Sequence, residues 1–347
     1  MEKLAVVAKI LDLSPIKGSD FIEMATVLGW GVITQKNLYE VGDLAIIIFP
    51  DTLVPKKFID EKYVGDEKVR LKTMKLRGHY SAGLLVPLSF IGSGYSEGDE
   101  VSTLLGVEKW VAPESSHIQG ETIGKFPTMF VPKTDEPDIR SETEALLEVQ
   151  NSPWFKNIEF VITLKYDGAS CTYIAHDKTF RVCTRKFELK EAANNTLWNL
   201  AKKYKVHEKL LAAGDNLAIQ GEVCGPGIQK NPLKLKEVTF FVFLIKDLAT
   251  NTWYTWDNLV EFCVKNDLPY VKELHRFYPE KEPISIARLQ DFANKAKYDD
   301  GRADAEGIVL RPVTPVGSAA MQKSWWSVKI MNQPYDMKKG KDDTETN

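Results

Sequence analysis

Short apolar stretches separated by turn residues fill the first third of the chain. Strand-like runs lie at residues 4–13, 22–27, 31–33, 44–49, 70–76 and 83–86. Gly, Pro and Asp occur between these runs, as in chains that turn back on themselves after each strand. Many short strands joined in this way predict a small barrel or sandwich. Five or so strands within about 110 residues favour an OB-fold.

The pattern changes after residues 112–137, which are rich in Pro, Gly, Ser and Thr. We therefore expect an OB-fold domain at 1–115, a linker at 116–137 and a second domain at 138–347. Strand-like runs follow at 159–164, 172–176, 217–223, 238–245, 307–310 and 325–331, and helical runs at 141–148, 187–203, 256–266 and 284–296. Because no regular βαβ repeat occurs, these runs predict an α+β domain with largely antiparallel sheets. The polar end, 338–347, is expected to be frayed.

Composition and charge narrow the class of protein. The 347 residues are 44% hydrophobic and 27% charged, which is typical of a soluble globular chain. No apolar run reaches the ~18 residues of a membrane span, and the start lacks a signal peptide, so a cytoplasmic or nuclear protein is expected. The net charge of -3 means that any contact with nucleic acid needs a local basic patch. The four cysteines form no C-x-x-C pair, which favours reduced thiols over a zinc site.

The most informative short motif is Lys165-Tyr166-Asp167-Gly168, which follows the apolar run 160–164. A lysine at the end of a buried strand is partly desolvated, which lowers its pKa and frees the amine as a nucleophile. Asp167 points the same way as Lys165 along an extended chain and can hold a cation beside it. An ordinary hairpin turn would also suit these four residues. Neither a P-loop nor a Rossmann glycine motif is present, so any nucleotide must bind in another way.

Five further motifs accompany this lysine. They are Arg185 within 182–186, Glu222 within 219–229, Phe243 within 240–245, Glu306 within 306–311 and Lys329 within 327–330. In order and approximate spacing they resemble the motifs of the covalent nucleotidyltransferases, and residues 127–334 resemble an ATP-dependent RNA ligase. The stretch 221–231 is more similar to RNA ligases than to DNA ligases or capping enzymes.

The N-terminal third makes the resemblance narrower. Residues 15–30 and 75–78 look like the OB domain of the Naegleria-type RNA ligases, and 126–137 looks like their linker. In that family the OB module precedes the transferase domain. The resemblance therefore covers nearly the whole chain. It implies an all-β OB-fold barrel followed by an ATP-grasp-like nucleotidyltransferase domain with antiparallel sheets and helices.

The resemblance also implies a reaction and its cofactors. Lys165 attacks the α-phosphorus of ATP and expels pyrophosphate, which leaves a lysine–AMP adduct. The AMP passes to an RNA 5′-phosphate, and a 3′-hydroxyl then attacks to seal the strand. Asp167 and Glu306 hold Mg²⁺ or Mn²⁺, through its waters. The expected partner is RNA with 3′-hydroxyl and 5′-phosphate ends, as in a nicked duplex, bound by a monomer and without a membrane.

The same resemblance predicts which residues bind the nucleotide. They are Leu164, Lys165, Arg140, Arg185, Glu222, Phe243 and Lys329. Glu222 would accept hydrogen bonds from the ribose, Phe243 would stack on adenine, and Lys329 would bind the α-phosphate. Lys165, Asp167, Glu306 and Lys329 form the expected catalytic set.

Three features leave alternatives open. Ser327 stands where the family often has the first of two lysines, and Lys323 is a candidate substitute. Arg140 lies farther from the Thr-Asp-Glu element than the usual linker arginine, so its contact with the phosphates stays open. A basic cluster comprises Arg70, Lys72, Lys75 and Arg77. It is either a solvated strand face or a track for the triphosphate or the RNA backbone, and a bulge is needed to bring it onto one face.

Two rival functions remain. DNA ligases and capping enzymes generally carry an OB domain after the last lysine motif, whereas this chain ends at residue 347, only 18 residues after Lys329. A non-catalytic RNA-binding protein with an inactive transferase domain is the alternative from another class. The intact set Lys165, Asp167, Glu222, Glu306 and Lys329 favours an enzyme.

Overall fold

The computed structural model describes residues 3–60, 62–111, 118, 120–134, 136–298, 301–317 and 325–342. In the first part of the chain the strands are β1 (Ala5–Pro15), β2 (Ile22–Val27), β3 (Trp30–Gln35), β4 (Leu44–Ile48), β5 (Thr52–Pro55), β6 (Lys68–Leu71), β7 (Met74–Leu76), β8 (His79–Ser81), β9 (Leu84–Pro87) and β10 (Glu108–Lys109). A short helix, α1 (Ser102–Leu105), precedes β10.

These strands form a small antiparallel β-domain with an apolar core on each side of its central strands. The order in the main sheet is β3-β2-β1-β4-β9, and a second sheet has the order β10-β5-β6. In β4, Ile47 packs into one core while Ile46 and Ile48 pack into the other. Burial on both faces explains why residues 44–49 are apolar without alternation. The all-β N-terminal domain expected from the sequence is confirmed.

The predicted strand at 70–76 is in fact two strands, β6 and β7, which belong to different sheets. β6 pairs with β5, whereas β7 pairs only with β8, through the positive-φ residues Arg77 and Gly78 at its turn. The chain leaves the β10-β5-β6 sheet at Lys72 and Thr73, which is where the two-residue period slips. The basic cluster is therefore divided between two sheets and does not form one continuous face.

The rest of the chain forms a larger α+β domain. Its strands are β11 (Thr122–Lys125), β12 (Phe160–Lys165), β13 (Ala169–His176), β14 (Thr179–Thr184), β15 (Phe187–Leu189), β16 (Asn216–Cys224), β17 (Thr239–Asp247), β18 (Thr252–Trp253), β19 (Glu273–Phe277), β20 (Gly307–Pro312) and β21 (Val328–Met331). Its helices are α2 (Thr143–Asn151), α3 (Pro153–Lys156), α4 (Thr196–Lys203), α5 (Val206–Ala212), α6 (Trp256–Lys265), α7 (Ile286–Lys295) and α8 (Gln333–Asp342).

Two antiparallel sheets make up this domain, as the sequence predicted. One has the order β11-β15-β14-β13-β16-β17-β18, and the other has the order β19-β12-β20-β21. β11 belongs to the segment expected to be a linker, yet it adds an edge strand beside β15. Trp30 and Ala82 of the N-terminal domain pack into the core of the larger domain, so the two domains share an apolar contact.

Two secondary-structure predictions in this domain are wrong. Residues 187–203 are not one helix, because 187–189 pair as β15 and the side chain of Asn195 caps the start of α4 by accepting from the amides of Leu197 and Trp198. The polar end is not frayed from residue 338, since α8 continues through Lys338 and Lys339. Among the helices that the structure describes, none has the length and apolar character needed to cross a bilayer.

Candidate active site

A cavity of about 330 Å³ lies between the N-terminal domain and the two sheets of the larger domain. All the residues predicted to bind nucleotide line it: Leu164, Lys165, Arg140, Arg185, Glu222, Phe243 and Lys329. Glu306 lines it as well, and Asp167 lies directly behind it, in contact with two lining residues, Tyr335 and Lys339. Residues far apart in the sequence are thus brought to one site.

Strand register explains how the second sheet assembles three of these groups. β12 and β20 pair so that Lys165 lies opposite Gly307, which places Glu306 beside the lysine. β20 and β21 pair Val309 with Lys329, which brings the second lysine to the same edge. A side chain on Gly307 would lie 2.2 Å from the Ile330 carbonyl oxygen, so the close approach of β20 and β21 requires glycine here.

Glu222 comes from the other sheet. β13 begins directly after the lysine motif, and it pairs with β16 so that Ser170 lies opposite Glu222. Gly168 makes this approach possible, because a Cβ at that position would lie 2.3 Å from the Val223 carbonyl oxygen. The final glycine of the Lys165-to-Gly168 motif thus has a packing role, and it joins the two sheets at the site.

Lys165 forms an ion pair with Glu306, with 2.5 Å between Nζ and Oε2. Burial alone would lower the pKa of this amine, but Glu306 and Glu222 outweigh burial and raise the pKa above its ordinary value. The prediction that the pKa of Lys165 is lowered is therefore wrong. Sequence reasoning considered the strand and missed the carboxylates that the fold brings to its end.

Three carboxyl groups share this site, and their mutual repulsion affects their pKa values. Burial, followed by the charges of Glu306 and Asp167, raises the pKa of Glu222 to about 8. Burial and Glu306 also raise the pKa of Asp167. Glu306 differs, because Lys165 and Lys339 outweigh its burial and lower its pKa. Shifted pKa values clustered in this way are typical of a functional site.

Lys339 is a site residue that the sequence analysis missed. Its Nζ lies 2.8 Å from Asp167 Oδ1 and 3.9 Å from Glu306 Oε1. Tyr335, one helical turn earlier in α8, donates from its hydroxyl to Asp167 Oδ2 at 2.5 Å. The i, i+4 spacing of Tyr335 and Lys339 puts both on one helix face, but the polar composition of this segment does not indicate a helix.

Tyr298 is a second residue that sequence reasoning missed. Its hydroxyl oxygen accepts hydrogen bonds from the backbone amides of Asp167 and Glu306, each at 3.1 Å. Its ring is stacked on Tyr166, which is in turn stacked on Phe241. One side chain thereby fixes the backbone of both carboxylate motifs, although nothing in its local sequence indicates this.

The predicted phosphate ligand Arg140 is held by a neighbouring carboxylate. Its guanidinium donates to both oxygens of Asp138, at 2.9 and 2.7 Å, and the pair is buried. Although burial opposes ionisation, Arg140 keeps the pKa of Asp138 below its ordinary value. The adjacent main chain is tied to β21, because the Lys329 amide donates to the Pro137 carbonyl at 2.8 Å. Arg140 thus lines the cavity as part of a fixed ion pair beside Lys329.

At position 327, where the family often has a lysine, this chain has a serine with a buried hydroxyl. Ser327 is fully buried, and within the described residues its Oγ has no hydrogen-bond partner. Lys323, the candidate substitute, lies outside the described residues. Besides Lys165, the described structure brings Lys339 to the carboxylates, from α8.

In the basic cluster of the N-terminal domain, Arg70 is the described residue that lines the cavity; Lys72, Lys75 and Arg77 are not among the described lining residues. Arg70 bonds to Asp51 at 2.7 Å and lies over the ring of Trp110, 3.3 Å from its centre. The division of the cluster between β6 and β7 accounts for this separation.

Comparison with known proteins agrees with this geometry. The RNA ligase family model matches residues 158–326, and the model of an OB-fold domain matches residues 4–88. A comparison with curated proteins finds no match. Among solved structures, a lysine-to-alanine variant of Naegleria gruberi RNA ligase with ATP and Mn is 28% identical, with a TM-score of 0.82 over 97% of this chain and 99% of that chain. The family match over residues 158–326 and the structural match over nearly the whole chain together support an ATP-dependent RNA ligase.

Two further solved structures of the Naegleria gruberi enzyme resemble this RNA ligase. A glutamate-to-alanine variant with AMP and Mn is 28% identical, with a TM-score of 0.82 over 97% of this chain and 98% of that chain. The enzyme with PPi is also 28% identical, with a TM-score of 0.81 over 99% of this chain and 100% of that chain. The predicted fold, an N-terminal OB domain followed by a nucleotidyltransferase domain, is confirmed, and RNA is the substrate class of the family.

The donor set of this RNA ligase fits a hard divalent cation. Within the described residues no three His, Cys, Asp or Glu side chains form a closed metal cage. Asp167 and Glu306 nevertheless already share one cation, the Lys339 ammonium. Two carboxylates that leave most positions to water and substrate oxygens suit Mg²⁺ or Mn²⁺.

Proposed function

We propose that this RNA ligase joins RNA ends in an ATP-dependent reaction through a covalent lysyl-AMP on Lys165. The observation that carries the proposal is the position of Lys165 at the edge of a cavity that also contains Phe243, Glu222 and Lys329. The neutral amine of Lys165 attacks the α-phosphorus, and the bond from that phosphorus to pyrophosphate breaks. The nitrogen becomes positively charged as its bond to phosphorus forms, and it then loses one proton to give the phosphoramidate. AMP then passes to the 5′-phosphate of RNA. A 3′-hydroxyl attacks that phosphate, which forms the phosphodiester bond and releases AMP.

Each lining residue has a task that its chemistry suits. The ring of Phe243 and the buried side chain of Leu164 supply an apolar slot for adenine. Glu222 accepts hydrogen bonds from the ribose hydroxyls. Lys329 neutralises charge on the α-phosphate, and Arg185 contacts the nucleotide or the RNA 3′ end. Phosphoryl transfer depends on positioning and charge neutralisation, and this site supplies both.

Asp167 and Glu306 would hold the divalent cation, which supplies positive charge at the α-phosphate. The same residues explain why the cation matters for the nucleophile. Glu306 is the main group that keeps Lys165 protonated. Positive charge brought beside Glu306 weakens the attraction of this carboxylate for the Lys165 proton and favours the neutral amine.

The basic side chains of the N-terminal domain act on the other end of ATP. Arg70 lines the cavity from the OB-fold domain, whereas the residues that we assign to adenine and ribose line it from the larger domain. In-line attack by Lys165 requires the pyrophosphate to lie opposite the lysine. We assign the β and γ phosphates to the side of the cavity that Arg70 lines.

We also place the boundary between the two domains in the segment 116–137.

The substrate that we propose is RNA with a 3′-hydroxyl and a 5′-phosphate at a nick in a duplex, bound by a single copy of the chain. Specificity for RNA needs contact with the 2′-hydroxyl near the junction. A panel of nicked duplexes with RNA or DNA on the 3′-hydroxyl side tests this directly. Faster sealing of the RNA-terminated nick supports the proposal, and equal sealing of all-DNA nicks contradicts it.

The competing function is a non-catalytic RNA-binding protein. Incubation with α-labelled ATP and Mn²⁺, followed by denaturing gel electrophoresis, separates the two. An enzyme retains the label covalently, whereas a binding protein releases it on denaturation. Labelled protein that then transfers its label to RNA with a 5′-phosphate identifies a ligase.

A further inference from the structure

The contact between α8 and the carboxylates has no part in the reaction described above. Asp167 is nearly fully buried, and both its oxygens are engaged by one face of α8, through the Lys339 ammonium and the Tyr335 hydroxyl. The Lys339 side chain is 29% exposed, whereas that of its neighbour Lys338 is 70% exposed. Lys339 therefore belongs to the site, although its sequence context is a polar terminal segment.

The start of α8, the helix that carries Lys339, is tied to the backbone of Glu306. The Asn332 amide, immediately before α8, donates to the Glu306 carbonyl oxygen at 2.9 Å. The Gln333 amide donates to Asn294 Oδ1 on α7 at 2.9 Å. These bonds fix the start of α8, while Lys339 lies near its other end on a long side chain. The ammonium can therefore leave the carboxylates without loss of the helix.

Charge balance explains why a cation lies at this point. Burial, followed by the charge of the nearby Glu306, raises the pKa of Asp167 and so disfavours its ionisation. An isolated pair of buried carboxylates is unfavourable unless a cation neutralises it. In the described structure Lys339 neutralises Asp167, as Lys165 neutralises Glu306.

We propose that Lys339 is an internal competitor of the divalent cation, which holds the Asp167–Glu306 pair in the metal-free enzyme and must leave it when the cation binds. The inference rests on the proposed function, because that function assigns the cation to the same two carboxylates. It adds a residue and an order of events. The ammonium and the cation cannot both lie against Asp167 without strong repulsion, so metal binding moves Lys339 away.

The direct test measures Mn²⁺ affinity in the absence of nucleotide, from the electron paramagnetic resonance signal of free Mn²⁺. Lys339→Met removes the competing charge, and we expect it to bind Mn²⁺ roughly tenfold more tightly than the wild type. Lys338→Met is the matched control, because Lys338 pairs with Asp304 at 2.6 Å, away from the carboxylate pair, and its affinity should equal that of the wild type. Equal or weaker Mn²⁺ binding by Lys339→Met overturns the proposal.

A measurement on the wild-type chain avoids any effect of the substitution on folding. Reductive methylation followed by mass spectrometry reports how accessible each lysine is. We expect Mn²⁺ to increase the methylation rate of Lys339 several-fold while that of Lys338 stays constant. An unchanged or slower rate at Lys339 contradicts displacement.

Neither measurement needs catalysis, so the two proposals fail separately. A wild-type protein in which Mn²⁺ displaces Lys339 but which never retains labelled AMP rejects the ligase reaction alone. A protein that retains AMP normally but shows no displacement of Lys339 rejects this inference alone.

Discussion

Lys165 and Glu306 lie 141 positions apart in the chain, yet Lys165 Nζ is only 2.5 Å from Glu306 Oε2. The carboxylate outweighs burial and raises the pKa of the amine, so the amine is held in its protonated form. We expect Lys165 to react slowly with amine reagents, and Glu306→Gln to increase its rate, because the substitution removes the largest charge that holds the proton on the amine. Methylation kinetics at about pH 8 check this, with Lys338 as the internal reference.

The control for that experiment is Glu188→Gln, which removes the partner of Arg181, 2.8 Å away, in the sheet that does not contain Lys165. It should leave the labelling rate of Lys165 unchanged. If wild-type Lys165 already reacts as fast as Lys338, or if Glu306→Gln slows it, the ion pair does not control the protonation of the lysine.

Glu222 should make stability depend on pH. Its folded pKa of about 8 lies above its ordinary value of 4.5, so folding favours the protonated form. The stabilising contribution is fully present below about 4.5 and is lost as the pH rises through about 8. The melting temperature of Glu222→Gln, compared with the wild type, should therefore rise across this range in the nucleotide-free protein.

Thermal unfolding at a series of pH values gives this comparison, with the exposed Glu121→Gln as the control. Glu121→Gln should keep a constant difference from the wild type. A constant difference for Glu222→Gln as well would mean that its carboxyl is not strained in the folded protein.

Tyr298→Phe should weaken both the fold and the metal site. The amides of Asp167 and Glu306 both donate to this hydroxyl, and a buried amide without an acceptor costs about 1–3 kcal/mol. We expect a lower free energy of unfolding and weaker Mn²⁺ binding, since both carboxylate backbones lose a support. Urea unfolding and Mn²⁺ titration measure the two effects.

Tyr173→Phe is the matched control for that substitution. Its hydroxyl donates to the Leu197 carbonyl at 2.9 Å, at the start of α4. It should lower stability without changing Mn²⁺ affinity. Equal loss of Mn²⁺ affinity in both variants would show that Tyr298 acts only through general stability.

Arg70→Ala should slow lysine adenylylation by about tenfold or more, as expected for loss of one charged contact with a phosphate. Sealing of RNA that already carries a 5′-AMP should change little, because that substrate has no β or γ phosphate. Lys75→Ala, in β7, is the control and should leave both steps intact. Single-turnover kinetics separate the steps. A defect confined to sealing would make Arg70 an RNA contact.

The motif residues could be predicted because each has a recognisable local context. Lys165, Glu222 and Phe243 lie on or at the end of apolar strands, and the antiparallel pairing of these strands brings them into one cavity. The small β-domain could be predicted from its short strands and turns. The fold of both halves was thus contained in local patterns together with a family resemblance.

The remaining site features depend on contacts between distant residues. Lys339 belongs to a polar terminal stretch whose composition favours disorder, and its role exists only because α8 packs near Asp167. The raised pKa of Lys165 depends on Glu306, which no property of β12 indicates. The basic run at 70–77 is continuous in sequence, but it is divided between two sheets, and Arg70 is its member among the described lining residues.

The central claim is that Lys165 becomes covalently attached to AMP. Intact-mass and peptide mass spectrometry after incubation with ATP and Mn²⁺ tests it most directly, on the wild type, on Lys165→Met and on the control Lys186→Met. We predict one AMP per chain, located on Lys165, absent from Lys165→Met and retained by Lys186→Met. AMP located on Lys186 or Lys329, or a wild-type chain that carries no covalent AMP, would contradict the account.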